Sequence, residues 1–273
     1  MVVTSAATNP TTIQDLLTDT VRAVEAAGDH LAGLIRLESN LRTRADFEKA
    51  ICDGDQESLN VLRPQLERAR PGIGWVEDEL GDGPLPPGEW WLTDPVEGAI
   101  NYVHGLPEWG VTATLVSDNR PVLTVVHLPL AHQTYTATVG GGAFRNTERL
   151  RVSNKVELAG ALVGTGQASP RETDETFARI GRSLVAMMPA AGVTRSSVPP
   201  TLQLVTVADG RTDVFFQYSA VRSGLLAGAL LVQEAGGVLS DIGGGTWSLD
   251  SSDFVAAAPG VHADAVTVLR SAR

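Results

Sequence analysis

The stretch that decides the fold is Trp91-Leu92-Thr93-Asp94-Pro95-Val96-Glu97-Gly98-Ala99-Ile100-Asn101-Tyr102-Val103-His104-Gly105. Apolar residues before Asp94 indicate a strand that ends there, and Pro95 forces a turn because its ring restricts the backbone and removes a hydrogen-bond donor. Glu97 follows three residues after Asp94, so two carboxylates can converge beyond the strand end. Convergent oxygen ligands are what Mg²⁺ requires. A second interpretation stays open, in which these acids are solvated or cap the next helix.

Helical patterning dominates the chain before this stretch. Apolar residues recur at three- and four-residue spacing over 13–24, and Thr12 and Asp15 are placed as a capping pair, which predicts an amphipathic helix. The same pattern resumes after Gly28 through Leu37. A further helix is predicted over 56–68, either kinked or restarted at Pro64.

From residue 73 onward, short apolar runs separated by turn residues predict strands. In the first half these runs are Trp90–Thr93, Val111–Val116, Val122–Leu128 and Thr134–Val139. In the second half strands predicted over 161–163, 214–218, 237–239 and 254–258 alternate with helices predicted over 172–187, 201–209, 225–235 and 263–271. That alternation indicates layered α/β packing. The only seam suggested by the pattern lies near 153–159.

The segment from Trp91 resembles the signature of the inositol monophosphatase superfamily, W-I-x-D-P-x-D-G-T-x-N. Further motifs match in the same order: Asp55 ends the family's V-T-x-x-D, Val76-Glu77-Asp78 falls at its G-E-E, and residues 140–153, 207–213 and 226–237 match its G-x-G-A, V-A-x-G-R-x-D and A-A-G to A-G-G segments. The resemblance implies an α/β fold, a layered α-β-α-β-α sandwich. It implies one unit over residues 1–273, with an N-terminal α+β half to about 155 and a C-terminal α/β half from about 156, often as a homodimer.

The resemblance also implies a magnesium site. If Mg²⁺ is retained, its ligands are Glu77, Asp94, the Val96 carbonyl and Glu97. With a one-residue shift Asp78 takes the place of Glu77, and both alternatives stay open. Glu97 replaces an aspartate of the family and is one methylene longer, whereas Mg²⁺ demands near-octahedral geometry at about 2.0–2.1 Å.

Several positions depart from the family pattern. Ala99 stands where the family has a threonine that helps to activate the attacking water, so Asp55 has no hydroxyl to orient. The family's W-D pair is Ser223-Gly224, which removes a carboxylate ligand. Arg222 precedes it and either turns inward, placing fixed positive charge where a cation belonged, or stays at the surface.

The candidate substrate-binding residues also differ from the family pattern. The family's G-S-A segment, which faces the sugar, is Val198-Pro199-Pro200, and its later pocket acid is Gln217. The remaining candidate substrate contacts are Asn101, Tyr102, His104 and Arg222. His104 has a structural alternative, and for Trp109 on the same loop core packing is the competing interpretation.

Because ligands, water activator and sugar contacts are all altered, the leading expectation is a repurposed enzyme without a cofactor. Crowding of Asp55, Glu77, Asp94 and Glu97 should raise at least one pKa, which provides a general acid beside a general base. That pair suits cyclisation, isomerisation or dehydration of a small, amine-bearing metabolite. One alternative is a residual Mg²⁺-dependent phosphatase of inositol phosphate or another sugar phosphate. The other is a non-catalytic pseudophosphatase that binds a metabolite or a protein.

The composition restricts the classes of partner that the chain could bind. The 273 residues are 43% hydrophobic and carry a formal net charge of -11 without a cluster of Lys and Arg, which disfavours nucleic acid. No run approaches the roughly 18 apolar residues of a membrane span. Cys52 is the single cysteine, so no intramolecular disulfide can form, and no basic and apolar leader is apparent. A cytoplasmic protein with a small-molecule substrate is therefore predicted.

Overall fold

The computed structural model describes residues 12–35, 41–76, 81, 83–167, 172–218 and 222–272. The α-helices in these ranges are α1 (Ile13–Leu34), α2 (Arg44–Ala69), α3 (Ala99–Val103), α4 (Asp174–Met187), α5 (Pro200–Ala208), α6 (Arg222–Glu234) and α7 (Pro259–Ser271). The strands are β1 (Gly74–Trp75), β2 (Glu89–Glu97), β3 (Gly110–Ser117), β4 (Arg120–Leu128), β5 (Gln133–Thr138), β6 (Gly142–Arg145), β7 (Glu148–Arg149), β8 (Leu162–Thr165), β9 (Val193–Ser196), β10 (Val214–Gln217), β11 (Val238–Ser240) and β12 (Phe254–Ala257).

The strands form two sheets. The first has the order β1-β2-β3-β4-β5-β6-β7, and all its neighbours are antiparallel except the parallel pair β1 and β2. The second has the order β11-β12-β10-β8-β9, in which β12 runs antiparallel to both of its neighbours and the other pairs are parallel. Residues 150–161 connect the two sheets and include the predicted seam. The prediction of one unit with two halves stays a prediction.

Three apolar clusters define the layers. Leu16 and Leu31 of α1 pack with Trp91 and Val111 on the outer face of the first sheet. Between the sheets, helices α5 and α6 contribute to one cluster with residues from both sheets, among them Val126, Tyr135, Leu204, Leu230, Phe215 and Phe254. On the far side, α4 and α7 cover the second sheet. The predicted α-β-α-β-α sandwich is confirmed.

Helix α1 begins as predicted and continues further than the pattern suggested. The Asp15 N–H donates to the Thr12 hydroxyl at 3.1 Å, and the Thr12 N–H donates to the Asp15 carboxylate at 3.3 Å. The helix runs through Gly28 without interruption. A glycine inside a helix costs only about 1 kcal/mol, and the buried side chains on either side of it offset that cost. The predicted extension to Leu37 lies outside the described residues.

Helix α2 differs more from its prediction. It starts at Arg44, where Thr43 and Asp46 form a second capping box, and it passes through Pro64 unbroken. A proline inside a helix costs about 3 kcal/mol or more because it removes one hydrogen bond. Leu62 and Leu66 are fully buried on either side of it. Burial of this face therefore outweighs the local penalty, and the predicted restart at Pro64 was wrong, whereas the kink stays a prediction.

The other predicted elements exist, with ends that differ by up to four residues. One difference matters for function: β2 does not end at Asp94 but continues to Glu97. The pattern also missed β6 and β7, which follow the glycine-rich turn. None of the helices in the described ranges combines the length and apolarity needed to cross a membrane.

Candidate active site at the end of strand β2

The site is built on a β-bulge in β2. Asp94 pairs with Thr112 and Glu97 pairs with Gly110, so two residues of β2 oppose the single residue Val111 of β3. In a regular strand, residues three apart point to opposite faces of the sheet. The extra residue reverses this relation and places Asp94 and Glu97 on the same face. Pro95 fits the bulge because it has no N–H to pair.

The carboxyl groups of Asp94 and Glu97 are hydrogen-bonded to each other. Glu97 is 2% exposed. Burial raises the pKa of the Glu97 carboxyl well above its ordinary value, and the adjacent Asp94 charge raises it further. Burial also raises the pKa of Asp94, although bonds from Glu97 and from the Val96 N–H oppose the rise. A single proton held between the two carboxyl groups relieves their repulsion, and a bound cation would do the same.

Thr201, which was not singled out from the sequence, supports this pair from the opposite side. It lies at the N-terminus of α5, and its N–H and hydroxyl contact Glu97 and lower the pKa of that carboxyl. The hydroxyl has a single proton, which at 3.0 Å from the Gly224 carbonyl oxygen can go either to that oxygen or to Glu97. A helix N-terminus favours negative charge. The signal for it in the sequence is Pro200, since proline is favoured in the first turn of a helix.

Asp55 lies on α2 near the pair. Its pKa is raised to about 7, mainly by burial and then by the charge of Asp94. In the part of the chain that the structure describes, Asp55 makes no hydrogen bond or ion pair, and Ala99 packs against the apolar cluster under the first sheet. That Asp55 has no hydroxyl to orient stays a prediction.

The carboxylates of Asp94 and Glu97 are suitable ligands for one Mg²⁺ ion. Within the described ranges, no group of three or more His, Cys, Asp or Glu side chains could hold a metal ion. Mg²⁺ is commonly bound by only one or two carboxylates, with water and substrate phosphate completing its shell. The paired oxygens of Asp94 and Glu97 meet that requirement. Glu77 and Asp78 lie outside the described residues, and ligation by the Val96 carbonyl stays a prediction.

Two of the predicted substrate contacts, Asn101 and Tyr102 of α3, make contacts with other groups of the protein. The buried Asn101 amide donates to the Glu108 carbonyl at 2.7 Å and to the Val198 carbonyl at 3.1 Å. The Tyr102 ring packs edge-on against Trp109, with 4.9 Å between centroids, and its hydroxyl donates to the Leu31 carbonyl at 3.4 Å. Trp109 is 1% exposed, in agreement with core packing.

His104 and Arg222 bond to the main chain. The Nδ1 of the exposed His104 lies 2.8 Å from the Ile100 carbonyl oxygen. The half-buried Arg222 donates from Nε to the Gly81 carbonyl at 2.8 Å, and no described carboxylate forms an ion pair with it. The structure therefore places this guanidinium against Gly81 rather than free at the surface.

Val198 and Gln217 flank α5. Val198 precedes a cis peptide bond to Pro199, and Gln217 is buried at the end of β10. The structure thus brings Asp55, Asp94 and Glu97 together, links Asn101 to Val198, and leaves substrate contact by the predicted residues as a prediction.

Comparison with known proteins assigns the chain to a family. The inositol monophosphatase family matches residues 13–272, and the chain belongs to that family. An inositol-1-monophosphatase of Mesorhizobium japonicum is 32% identical over 247 residues, 88% of this chain and 91% of that protein. A putative Nus factor SuhB of Neisseria meningitidis serogroup B is 33% identical over 242 residues, 86% of this chain and 92% of that protein. The crystal structure of the extragenic suppressor protein SuhB of Bartonella henselae has a TM-score of 0.79 at 27% identity and covers 93% of this chain and 98% of that chain.

These relatives correct the leading functional expectation. A metal-independent acid/base enzyme for cyclisation, isomerisation or dehydration was wrong, because relatives at about one-third identity over most of the chain are named inositol-1-monophosphatases or SuhB. The expectation of no cofactor is likewise unsupported, since the family is magnesium-dependent. The phosphatase alternative is the better supported of the sequence-based hypotheses.

Proposed function

We propose that this chain is a phosphatase of small phosphate monoesters, such as inositol phosphate or another sugar phosphate, that acts with a divalent cation. The observation that carries the proposal is the hydrogen-bonded pair of Asp94 and Glu97, which the bulge places on one face of β2. Two adjacent acids in a buried setting repel each other when both are ionised. A divalent cation relieves that repulsion and keeps both groups ionised.

Individual residues of this chain have separate roles in the proposed reaction. Asp94 and Glu97 would hold the cation, with Glu77 as a further ligand suggested by its place in the sequence. When bound, the cation polarises a phosphoryl oxygen and lowers the pKa of a bound water. Thr201 orients Glu97 through its N–H and hydroxyl. Asn101 holds the loop after β2 against the Val198 carbonyl, which closes one wall of the site.

Asp55 is the candidate general base. A base works best when its pKa lies near the operating pH, and the pKa of Asp55 is raised to about 7. Ala99 offers it no hydroxyl, so Asp55 would take a proton from water directly. We expect slower turnover from this arrangement than from one in which a hydroxyl helps to place the water.

The test is phosphate release from inositol 1-phosphate and a panel of sugar phosphates, with and without millimolar Mg²⁺. We expect Mg²⁺-dependent release in the wild type and its loss in Asp94→Asn. Asp264→Asn, an exposed aspartate on α7, is the matched control and should leave the rate unchanged. Release that persists in Asp94→Asn, or that ignores chelation of the metal, would refute the proposal.

A second candidate is a non-catalytic binding role. Ala99 and Gly224 lack side chains that the family resemblance assigns to catalysis, and one relative is named a putative Nus factor rather than an enzyme. The formal net charge of -11 favours a small-molecule or protein partner over nucleic acid. This role predicts no phosphate release from any member of the panel, while Asp94→Asn leaves binding of the partner intact.

We further propose a cytoplasmic homodimer. The family resemblance supports the dimer, and the single cysteine, Cys52, fits a reducing compartment. Light scattering of the purified chain at several concentrations measures the oligomeric state. A mass equal to one chain at all concentrations would exclude the dimer.

A further inference from the structure

The segment Val198-Pro199-Pro200 is wedged between the two sides of the site. On the sheet side, a Cβ atom added at Gly98 would lie 3.0 Å from Pro199 Cγ and 2.9 Å from the Glu108 carbonyl oxygen. Gly98 also has a φ of 85°, which favours glycine. On the helix side, a Cβ atom added at Gly224 would lie 2.9 Å from Pro200 Cγ. The two prolines therefore fill the space between the start of α3 and the start of α6.

Position 224 is adjacent to the carboxylate pair. The Thr201 hydroxyl donates to the Gly224 carbonyl, and the same threonine contacts Glu97. A carboxylate at position 224 would start beside Pro200, the residue that precedes Thr201. Such a side chain is the ligand that a second cation would need.

Pro200 occupies the space that a side chain at position 224 would need. Carbon atoms in contact lie about 3.5–4.0 Å apart, so a side chain at position 224 overlaps the proline ring. A long flexible side chain could rotate away from such an overlap, but the proline ring is fixed to its own backbone. Pro200 is also the first residue of α5, and its movement would displace Thr201, the neighbour that contacts Glu97.

We propose that Pro200 and Gly224 together restrict this site to a single divalent cation. The inference rests on the proposed function, because it presumes that Asp94 and Glu97 hold the cation. A second ion would need a carboxylate of its own, because an isolated charge in a buried setting is costly. Gly224 has no side chain, and the Pro200 ring leaves no space for one.

The experiment counts bound Mn²⁺ on the full chain by electron paramagnetic resonance, in which free Mn²⁺ gives the signal. We expect one ion for the wild type and none for Asp94→Asn. Gly224→Asp should still bind one ion and should melt at a lower temperature than the wild type. The double variant P200A/G224D should bind two ions, since the ring no longer occupies the space.

Two controls separate charge from volume. P200A/G224N fills the same space without a carboxylate and should bind one ion. Gly181→Asp makes the same change on α4, where nothing lies within 4 Å of the added Cβ, and should leave the ion count unchanged without lowering the melting temperature.

A double-mutant cycle measured by thermal unfolding tests the overlap between Pro200 and position 224 even if the charged variants fail to fold. Gly224→Ala should lower the melting temperature by about 3 °C or more in the wild-type background and by clearly less in the Pro200→Ala background. Equal losses in the two backgrounds would overturn the proposed overlap.

The outcomes distinguish this inference from the function on which it rests. Two ions on the wild type, or two on Gly224→Asp with an unchanged melting temperature, would overturn the single-cation site and leave the phosphatase proposal standing. No Mn²⁺ on the wild type would instead refute the cation site itself. One ion on a folded P200A/G224D would show that Pro200 is not what limits the count.

Discussion

The sheet side and the helix side of the site differ in what they contribute. On the sheet side, the bulge in β2 keeps two carboxylates on one face, with Glu97 buried and Asp94 half-buried. On the helix side, Pro200 and Gly224 present no charged group, and the polar contact to the pair comes from Thr201. Under the proposed function, the described acids that would hold the cation come from the sheet side alone, because the two sides come from distant parts of the chain and can differ independently.

The difference also bears on stability. Paired buried acids cost free energy unless a proton or a cation compensates them, whereas a proline ring packed on a glycine costs nothing of that kind. We therefore interpret the sheet side as retained for function and the helix side as packing that supports it.

The largest effect is expected from Glu97→Gln, which keeps the shape of the side chain and removes its charge. Cation affinity should fall by more than about 100-fold, beyond the roughly 10–100-fold that follows loss of a group that only supports a ligand. Mn²⁺ titration and Mg²⁺-dependent phosphate release measure it. Unchanged affinity would mean that the sheet side does not bind the cation.

Thr201→Val tests the helix side. It removes the hydroxyl that donates to the Gly224 carbonyl and contacts Glu97, so we expect about a 10-fold loss of cation affinity and about 1 kcal/mol of stability. Thr267→Val is the matched control, because that exposed hydroxyl bonds only to the Ala263 carbonyl of its own helix. If both variants behave alike, Thr201 is structural and the helix side takes no part in the site.

Ala99→Thr would sharpen the comparison by adding the hydroxyl that the family resemblance pairs with Asp55. We expect a rise in turnover of several-fold, at most about 10-fold, well short of the 100-fold or more that an added catalytic group can give, because the surrounding site has not adapted to it. Ala99→Val adds the same volume without the hydroxyl and should give no gain. Equal rates for the two variants would show that Asp55 does not act through a hydroxyl.

The smallest effect is expected at His127, which lies away from the candidate site and should affect the pH dependence of stability. Burial lowers the pKa of His127, although the charges of Glu25 and Asp29 oppose the shift. Its Nδ1 lies 2.9 Å from the Thr134 hydroxyl, which in turn donates to Glu25 at 2.6 Å. The folded state therefore binds fewer protons than the unfolded state near the ordinary histidine pKa, so stability should be present above that value and fall as the pH is lowered through it.

Thermal unfolding at pH 7 and pH 5 measures this dependence. His127→Gln, which cannot titrate, should lose less stability over the same interval than the wild type. His132→Gln, an exposed histidine in the turn before β5, should follow the wild type. A wild type and a His127→Gln variant with the same dependence on pH would contradict the prediction.

Local patterns predicted much of the fold. The pair Thr12 and Asp15 predicted the start of α1, and alternating apolar runs predicted the principal strands of both sheets. Pro64 shows the limit of such reasoning, because a strong local signal for a break was outweighed by the burial of Leu62 and Leu66. The penalty at one residue can be seen in the sequence, whereas the compensating burial depends on where the helix packs.

The candidate site, like the fold, could be predicted from the sequence only in part. Asp55, Asp94 and Glu97 were identified from the motif, and the structure brings them together. Thr201 and the overlap of Pro200 with Gly224 could not be found from the motif alone. The pattern of β2 predicted a turn after Asp94, but the chain forms a bulge, and only the pairing with β3 shows which face each acid occupies.

By itself the sequence determined the family, the order of the layers and the identity of the acids, because these follow from short-range patterns and a contiguous motif. Only the tertiary structure decided that the acids share one face and that position 224 is closed. Those features depend on contacts between segments far apart in the chain, such as Thr201 with Gly224 and Asn101 with Val198, which lie 23 and 97 residues apart. Packing brings such segments together, and no local pattern records the distance between them.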